Sequence, residues 1–223
     1  MPRPLGDHDF DARYYATGCG RPYGRDQVWL EFFGRIADRI ATDLAPGRTL
    51  DAGCAWGLLV EALRARGVDA RGFDISSYAI AQAAPAVQPY CWQASATDEI
   101  DGRYDLIICT EVFPHLTPED GRAAIANFCR HSDTVLFSSS PCDPIAPRHR
   151  NALGPDHWAS VFAAAGFTAD RSADMSVMTP WATLFRKRRE PDGPAAKVST
   201  LLRRLLANGK QASRGAHVHH ALG

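Results

Sequence analysis

Runs of apolar residues along the chain alternate between helix-like and strand-like spacing. Val28, Phe32, Ile36 and Ile40 recur at helical intervals within residues 26–44, with charged residues between them. Short apolar runs predict five strands, which are Thr49–Ala52, Val68–Ile75, Tyr90–Ala96, Tyr104–Thr110 and Thr134–Ser138. Helices are predicted at Leu58–Arg66, at Ser77–Ala84, from Thr117 onward and at Asp156–Ala165, and two further strands at Phe167–Ala173 and Thr183–Lys187.

The order of these elements indicates the fold class. Strands alternate with helices five times, which is typical of an α/β, Rossmann-like, doubly wound sheet. We expect a mostly parallel sheet with an antiparallel last strand and with helices on both faces. The run Tyr104–Thr110 is almost wholly apolar, as a strand buried on both faces should be. Ligands of such sheets bind beyond the carboxyl ends of the strands, at the point where the strand order reverses.

Charge and cysteine content narrow the possible functions. Lys plus Arg and Asp plus Glu both number 25, so the formal net charge is zero, and we expect no nucleic-acid partner. Nine Lys and Arg but only two acidic residues fall from Arg186 onward, which predicts a solvated basic tail or an arm for an acidic partner. None of the six cysteines forms a C-x-x-C pair, so we expect no metal. No signal segment or membrane span is recognisable, and the expected location is the cytoplasm.

The stretch Leu50–Gly57 is the most informative for chemistry. It follows a predicted strand and opens a helix, so its backbone N–H groups face the expected ligand crevice. The spacing from Gly53 to Gly57 is G-x-x-x-G, whereas a dinucleotide cradle has G-x-G-x-x-G. Asp74 ends the next strand, where a carboxylate can accept hydrogen bonds from both hydroxyls of a ribose. Alone, the glycines could form only a tight turn and Asp74 only a helix cap; together they indicate an adenosine ligand.

With these residues identified, the chain resembles the class I S-adenosylmethionine (SAM)-dependent methyltransferases. Leu50–Gly57 is similar to their first motif, Asp74 to their ribose-binding acid and Tyr104–Leu116 to their fourth-strand motif. The resemblance covers about residues 26–188 and implies SAM as the cofactor. The tyrosine- and glycine-rich N-terminal segment is similar to a bacterial subgroup associated with glycan and natural-product clusters. It implies a small-molecule acceptor, a sugar or a natural-product intermediate, methylated on oxygen or nitrogen.

The resemblance also implies roles for individual residues. Asp51, Gly53, Cys54 and Gly57 belong to the turn that would line the methionine part of SAM. The remaining implied cofactor contacts are Asp74 at the ribose, Ile75 on the adenine, Ser95 and Ala96 near the adenine amine, and Thr110 and Glu111 beside the methionine. Ser95 departs from the family pattern, which has an acidic residue there. Cys54 is expected to pack and not to act as a nucleophile.

Candidate catalytic groups are His115 and His149, because a histidine can act as a general base near neutral pH. His115 could instead be a structural histidine after the fourth strand, and His149 could lie in a solvated loop. Tyr15 and Tyr23 in segment 1–25 could form a lid over the cofactor or simply pack against the core.

The predicted organisation is therefore an N-terminal lid segment over residues 1–25, a methyltransferase domain over 26–188 and a basic, flexible tail over 189–223. Three other functions stay open. The basic tail would suit a methyltransferase acting on RNA or protein, and a non-catalytic module would bind SAM without transferring its methyl group. A dehydrogenase would bind NAD in preference to SAM.

Overall fold

The computed structural model describes residues 5–141 and 152–188. Its helices are α1 (Ala12–Thr17), α2 (Gln27–Arg39), α3 (Leu58–Arg64), α4 (Ser77–Ala81), α5 (Pro118–His131) and α6 (Pro155–Ala164). Its strands are β1 (Arg48–Ala52), β2 (Asp69–Asp74), β3 (Cys91–Gln93), β4 (Leu106–Thr110), β5 (Thr134–Ser138), β6 (Phe167–Asp170) and β7 (Thr183–Lys187). Helix α1 lies in the N-terminal segment, where no helix is predicted; the other helices and strands occur in the order that the sequence pattern predicts.

The strands form one seven-stranded sheet in the order β3-β2-β1-β4-β5-β7-β6. The first five pair in parallel, while β7 runs antiparallel to both β5 and β6. The predicted fold class and the antiparallel last strand are confirmed. The order reverses between β1 and β4, so the carboxyl ends of these strands border the crevice where ligands of this fold bind.

Each face of the sheet carries a separate apolar core. Ile36 of α2 and Leu63 of α3 belong to one core, and Phe128 of α5 and Phe162 of α6 belong to the other. The alternation of side chains along β1 explains the division, since Leu50 and Ala52 point to the α5–α6 side. Helices therefore cover both faces, as predicted.

Several element boundaries differ from the prediction. The third strand covers only Cys91–Gln93, because the backbone N–H of Ser95 turns to the carboxylate of Asp98, at 2.8 Å. The helix predicted to reach residue 44 is regular as far as Arg39 and ends in a π-helical turn, Ile40–Leu44. The capping residue of α5 is as expected, since Thr117 Oγ1 accepts the backbone N–H of Asp120 at 3.1 Å.

Two predicted features lie outside the described residues. They are His149 and the basic tail at 189–223. Within the described ranges, no helix is long and apolar enough to cross a membrane, and no group of three or more His, Cys, Asp or Glu residues could hold a metal ion.

Candidate active site

A cavity of about 470 Å³ opens at the carboxyl ends of β1, β2 and β4. This volume lies within the range of small-molecule and cofactor sites, roughly 300–1,000 Å³. Eleven of the twelve predicted cofactor-binding residues line it, and they are Tyr15, Tyr23, Asp51, Gly53, Cys54, Asp74, Ile75, Ser95, Ala96, Thr110 and Glu111. His115, the candidate base, lines it too.

The exception is Gly57, which does not belong to the lining. It has a φ of +71° at the start of α3, and a Cβ there would lie 2.9 Å from Cys91 Sγ. Gly57 therefore permits close packing of α3 against β3 and does not contact the cofactor crevice. Gly57 is thus the one predicted cofactor residue that the structure places outside the cavity lining.

The turn after β1 is fixed by Gly53. Its φ is +87°, and the backbone N–H groups of Gly53 and Cys54 both donate to the carbonyl of Phe73, at 2.8 and 2.9 Å. Any Cβ at position 53 would lie 2.1 Å from Val112 Cγ2, so only glycine fits. The Cys54 thiol is buried on the α2–α3 side, and a hydrogen bond with Cys91, followed by this burial, raises its pKa well above the ordinary value. This environment agrees with packing and disfavours a thiolate nucleophile.

Asp74 joins the two loops that border the adenosine side. One carboxylate oxygen accepts the N–H of Ala55 and the other accepts the N–H of Ser76, both at 2.9 Å. Burial raises the pKa of this carboxyl, against the opposing effect of the backbone hydrogen bonds. An ionised carboxylate has about four lone-pair positions, so two remain for hydrogen bonds from a ligand.

Asp51 is the second buried carboxyl group of the site. It is 4% exposed, and no hydrogen bond or ion pair reaches its carboxylate from the parts of the chain that the structure describes. Burial, and then the charge of Asp74, raise its pKa to about 7. A cationic ligand group would stabilise the charged form of this side chain.

Ile75 and Ala96 give the cavity an apolar border beside the carboxyl end of β2, where the sequence predicts the adenine. The hydroxyl of Ser95 lies 2.9 Å from that of Thr97, so its nearest polar contact is within its own loop. The carboxylate of Asp98 accepts the Ser95 backbone N–H at 2.8 Å, and Asp98 is not among the residues that line the cavity.

The opposite side of the cavity is organised by Glu111, which adopts a left-handed backbone with a φ of +57°. Its carboxylate accepts hydrogen bonds from the Ser138 hydroxyl, from Trp181 Nε1 at 2.8 Å and from the Ser140 backbone N–H at 3.0 Å. Thr110 Oγ1 contacts Met178 Sδ at 3.3 Å. Glu111 thus ties the loop after β5 to the segment before β7, and sequence reasoning did not identify Trp181 in this position.

His115 meets the N-terminal segment. Its Nε2 lies 3.2 Å from the hydroxyl oxygen of Tyr14. Its ring packs edge-to-face with the ring of Phe10, with 5.2 Å between the two ring centroids. Sequence reasoning identified His115 but neither of these partners. The only sequence signal was the density of aromatic residues in the segment, which does not show where each ring lies.

The N-terminal segment crosses the cavity and is bound to the region around α4. The Asp7 carboxylate accepts the backbone N–H of Ser77 at 2.7 Å, and the Ser76 hydroxyl donates to the carbonyl of Phe10 at 2.6 Å. Burial raises the pKa values of Tyr15 and Tyr23 well above the ordinary value, so both phenols stay protonated at neutral pH. Their side chains can therefore donate hydrogen bonds into the cavity.

These features fit SAM. The Asp74 carboxylate has spare acceptor capacity for a ribose, the Ile75 and Ala96 side chains suit an adenine, and the unpaired Asp51 carboxylate suits a cationic group. Gly53 brings the backbone close to the same space. The chemistry of the lining is therefore compatible with SAM.

The fold and the site together define a Rossmann-like α/β protein with its ligand crevice at the switch point. Residues 25–182, which are more than half of the chain, match the methyltransferase domain family, and the chain belongs to that family. The family uses SAM, so the predicted cofactor is confirmed at the level of the family.

Among curated relatives, the chain is 30% identical over 111 residues to a ubiquinone biosynthesis O-methyltransferase of Methylococcus capsulatus, across 44% of this chain and 45% of the relative. A similar enzyme of Burkholderia multivorans is 31% identical over 105 residues, across 43% of this chain and 45% of the relative. The matched region thus spans less than half the length of these curated relatives.

Solved structures share the architecture. The magnesium protoporphyrin IX methyltransferase of Synechocystis PCC 6803, with bound SAH, superposes with a TM-score of 0.59 at 19% identity, over 79% of this chain and 97% of that chain. The amino pentose methyltransferase CalS10 of Micromonospora echinaspora has a TM-score of 0.54 at 16% identity, over 83% and 98%. Because the sequence identities are only 19% and 16%, the structural similarity is evidence for a shared fold alone.

Proposed function

We propose that this chain transfers a methyl group from SAM to an oxygen or nitrogen nucleophile of a small molecule, a sugar or a natural-product intermediate. One observation carries the proposal: a single cavity joins the Asp74 and Asp51 carboxylates to the imidazole of His115. The side chains proposed to bind the cofactor and the candidate general base therefore border the same cavity. The similar proteins include an amino pentose methyltransferase and a ubiquinone biosynthesis O-methyltransferase, which supports a small-molecule acceptor.

When bound, SAM supplies a methyl group carried on a sulfonium. In this proposal, Asp74 holds the ribose and Glu111 keeps the acceptor side of the cavity in shape. His115 takes up the proton that an O–H or N–H nucleophile loses, and the hydroxyl of Tyr14 orients its imidazole. The N-terminal segment acts as a lid that keeps water from the reacting groups.

The cofactor assignment is tested by changing Asp74. We expect Asp74→Ala to weaken SAM binding by at least about 100-fold, because two charge-assisted hydrogen bonds to the ribose are lost. Isothermal titration calorimetry with SAM and with its demethylated product SAH measures the change. Asp69→Ala is the matched control, since Asp69 begins the same strand, is exposed and does not line the cavity. Normal binding by Asp74→Ala would show that the assignment is wrong.

The acceptor class is tested by incubating the full chain with methyl-labelled SAM and three sets of acceptors. The sets are small molecules (sugars, amino sugars and phenols), RNA, and protein. We expect label in the small-molecule set, and its transfer should decrease in His115→Ala while SAM affinity is maintained. Label only in RNA or protein would contradict the proposed substrate class. Binding of SAM without transfer to any set would favour a non-catalytic module.

A further inference from the structure

Asp51 is a buried carboxyl group that borders the cavity and has no partner among the residues that the structure describes. It is the fourth residue of the central strand β1, and it is 4% exposed. Within residues 5–141 and 152–188, no hydrogen bond donor and no cation contacts its carboxylate. An ionised carboxylate in such a place is poorly hydrated and has no compensating contact from the described residues, so the neutral form is favoured.

The titratable groups that face Asp51 strengthen this preference. They come from four parts of the fold: Asp74 at the end of β2, Tyr23 in the N-terminal segment, Cys54 in the turn and Cys109 in β4. All four are acids, so each is either neutral or negative and none can stabilise a negative charge on Asp51 by ion pairing. The raised pKa of Asp51, at about 7, agrees with this arrangement.

We propose that Asp51 holds a proton in the cofactor-free protein and releases it when the ammonium group of SAM binds beside it. The inference rests on the proposed function, because it requires SAM in this cavity. The ammonium group is a better partner than the sulfonium, since it has N–H donors for a carboxylate and the sulfonium has none. The O–H bond of the carboxylic acid breaks, its electron pair stays on the carboxylate, and the proton passes to the buffer. Cofactor binding is therefore coupled to proton release.

Calorimetry of the full chain measures this coupling directly. SAM and SAH are titrated at pH 6, 7 and 8 in buffers with different ionisation enthalpies, because the slope of binding enthalpy against ionisation enthalpy gives the number of protons released. We expect release of about 0.9 proton at pH 6 and of fewer at pH 7. At pH 8 the release should vanish or reverse, because a ligand whose α-amino group is partly neutral takes up a proton when it binds as an ammonium. Affinity should rise about tenfold from pH 5 to pH 6. Above pH 7 it should level off and then fall, because a free α-amino group has a pKa of about 7.7–8.0 and only its ammonium form pairs with the Asp51 carboxylate. SAH keeps the ammonium group, so it should behave as SAM does.

Two comparisons assign the proton to Asp51. The variant Asp51→Asn should release no proton between pH 6 and pH 8, and at pH 8 it should bind SAH roughly 10- to 100-fold more weakly, since a charge-assisted hydrogen bond is lost. Asp69→Asn, the same change at an exposed position of β2, should behave as the unchanged chain. The ligand 5′-methylthioadenosine has no ammonium group and should bind without proton release.

The outcomes separate this inference from the proposed function. Binding of SAM with an enthalpy that does not depend on the buffer at pH 6 and 7 would overturn the inference and leave the proposed function intact. Proton release by Asp51→Asn or with 5′-methylthioadenosine would also overturn it, because another group such as Asp74 would be the source. Failure of both SAM and SAH to bind would overturn both. If Asp51→Asn does not fold, the pH series and 5′-methylthioadenosine still decide the question.

Discussion

Position 53 requires glycine for two separate reasons, its backbone conformation and the lack of space for a side chain. The backbone has a φ of +87°, and the space that a side chain would occupy is filled by Val112 from the loop after β4. Gly67 has a similar φ of +82°, but nothing lies within 4 Å of its Cβ position. A comparison of substitutions at these two positions can therefore distinguish the cost of backbone strain from the cost of steric overlap.

We expect Gly67→Ala to lower the free energy of unfolding by about 1–2 kcal/mol through backbone strain alone. Gly53→Ala should cost about 1–3 kcal/mol more, since the new methyl group overlaps Val112. Urea denaturation of the two variants measures both values. The double variant Gly53→Ala with Val112→Ala should relieve the overlap but not the strain. Equal costs at the two glycines would mean that the loop after β4 moves away without penalty.

At the scale of secondary structure, β1 shows how one strand serves both the core and the site. It lies between β2 and β4, and its side chains alternate, so Leu50 packs into the α5–α6 core. Thr49 and Asp51 occupy the alternate positions. The Thr49 hydroxyl is buried and has no hydrogen-bond partner in the described parts of the chain.

This position gives an element-scale prediction. Thr49→Val replaces an unsatisfied hydroxyl with a methyl group of the same shape, so we expect the free energy of unfolding to stay equal or rise by up to about 1 kcal/mol. Ser132→Ala is the contrasting control, because the buried Ser132 hydroxyl donates to the Thr134 carbonyl at 2.7 Å and accepts its N–H at 3.0 Å. That variant should lose about 1–3 kcal/mol. A comparable loss in Thr49→Val would indicate a partner for the Thr49 hydroxyl.

For the whole molecule, the described site and the basic tail are separate in the sequence. The cavity lining comes from residues 5–141 and 152–188, whereas most of the positive charge of the last part of the chain falls at 189–223. Arg186 and Lys187 belong to β7, so a truncation that leaves the sheet intact ends after Arg188.

We expect the chain of residues 1–188 to bind SAH with the affinity of the full chain, within about twofold, because the described lining is retained. Calorimetry under identical conditions compares the two chains. If the tail recruits RNA or a protein acceptor, transfer to that acceptor should be lost on truncation while SAH binding persists. A loss of SAH binding would instead mean that the tail contributes to the cofactor site.

Local sequence patterns were sufficient for the strand order along the chain and for the turn of Gly53 and the carboxylate of Asp74. These features depend on short stretches of sequence, in which backbone geometry restricts the residue types that can occur. The same pattern could not separate Gly53 from Gly57, since both have a positive φ. Only the packing against Val112 on one side and Cys91 on the other assigns them different tasks.

The sequence by itself therefore determined the α/β class, the methyltransferase resemblance and SAM as the cofactor, and most of the cofactor-binding residues that it predicts line the cavity. The tertiary structure decided which distant residues meet them. The hydrogen bond between Tyr14 and His115 spans 101 residues of chain, and the one between Trp181 and Glu111 spans 70. The unpaired state of Asp51 is likewise a property of its surroundings. Periodicity and spacing report local geometry, whereas these contacts depend on how whole elements pack against one another.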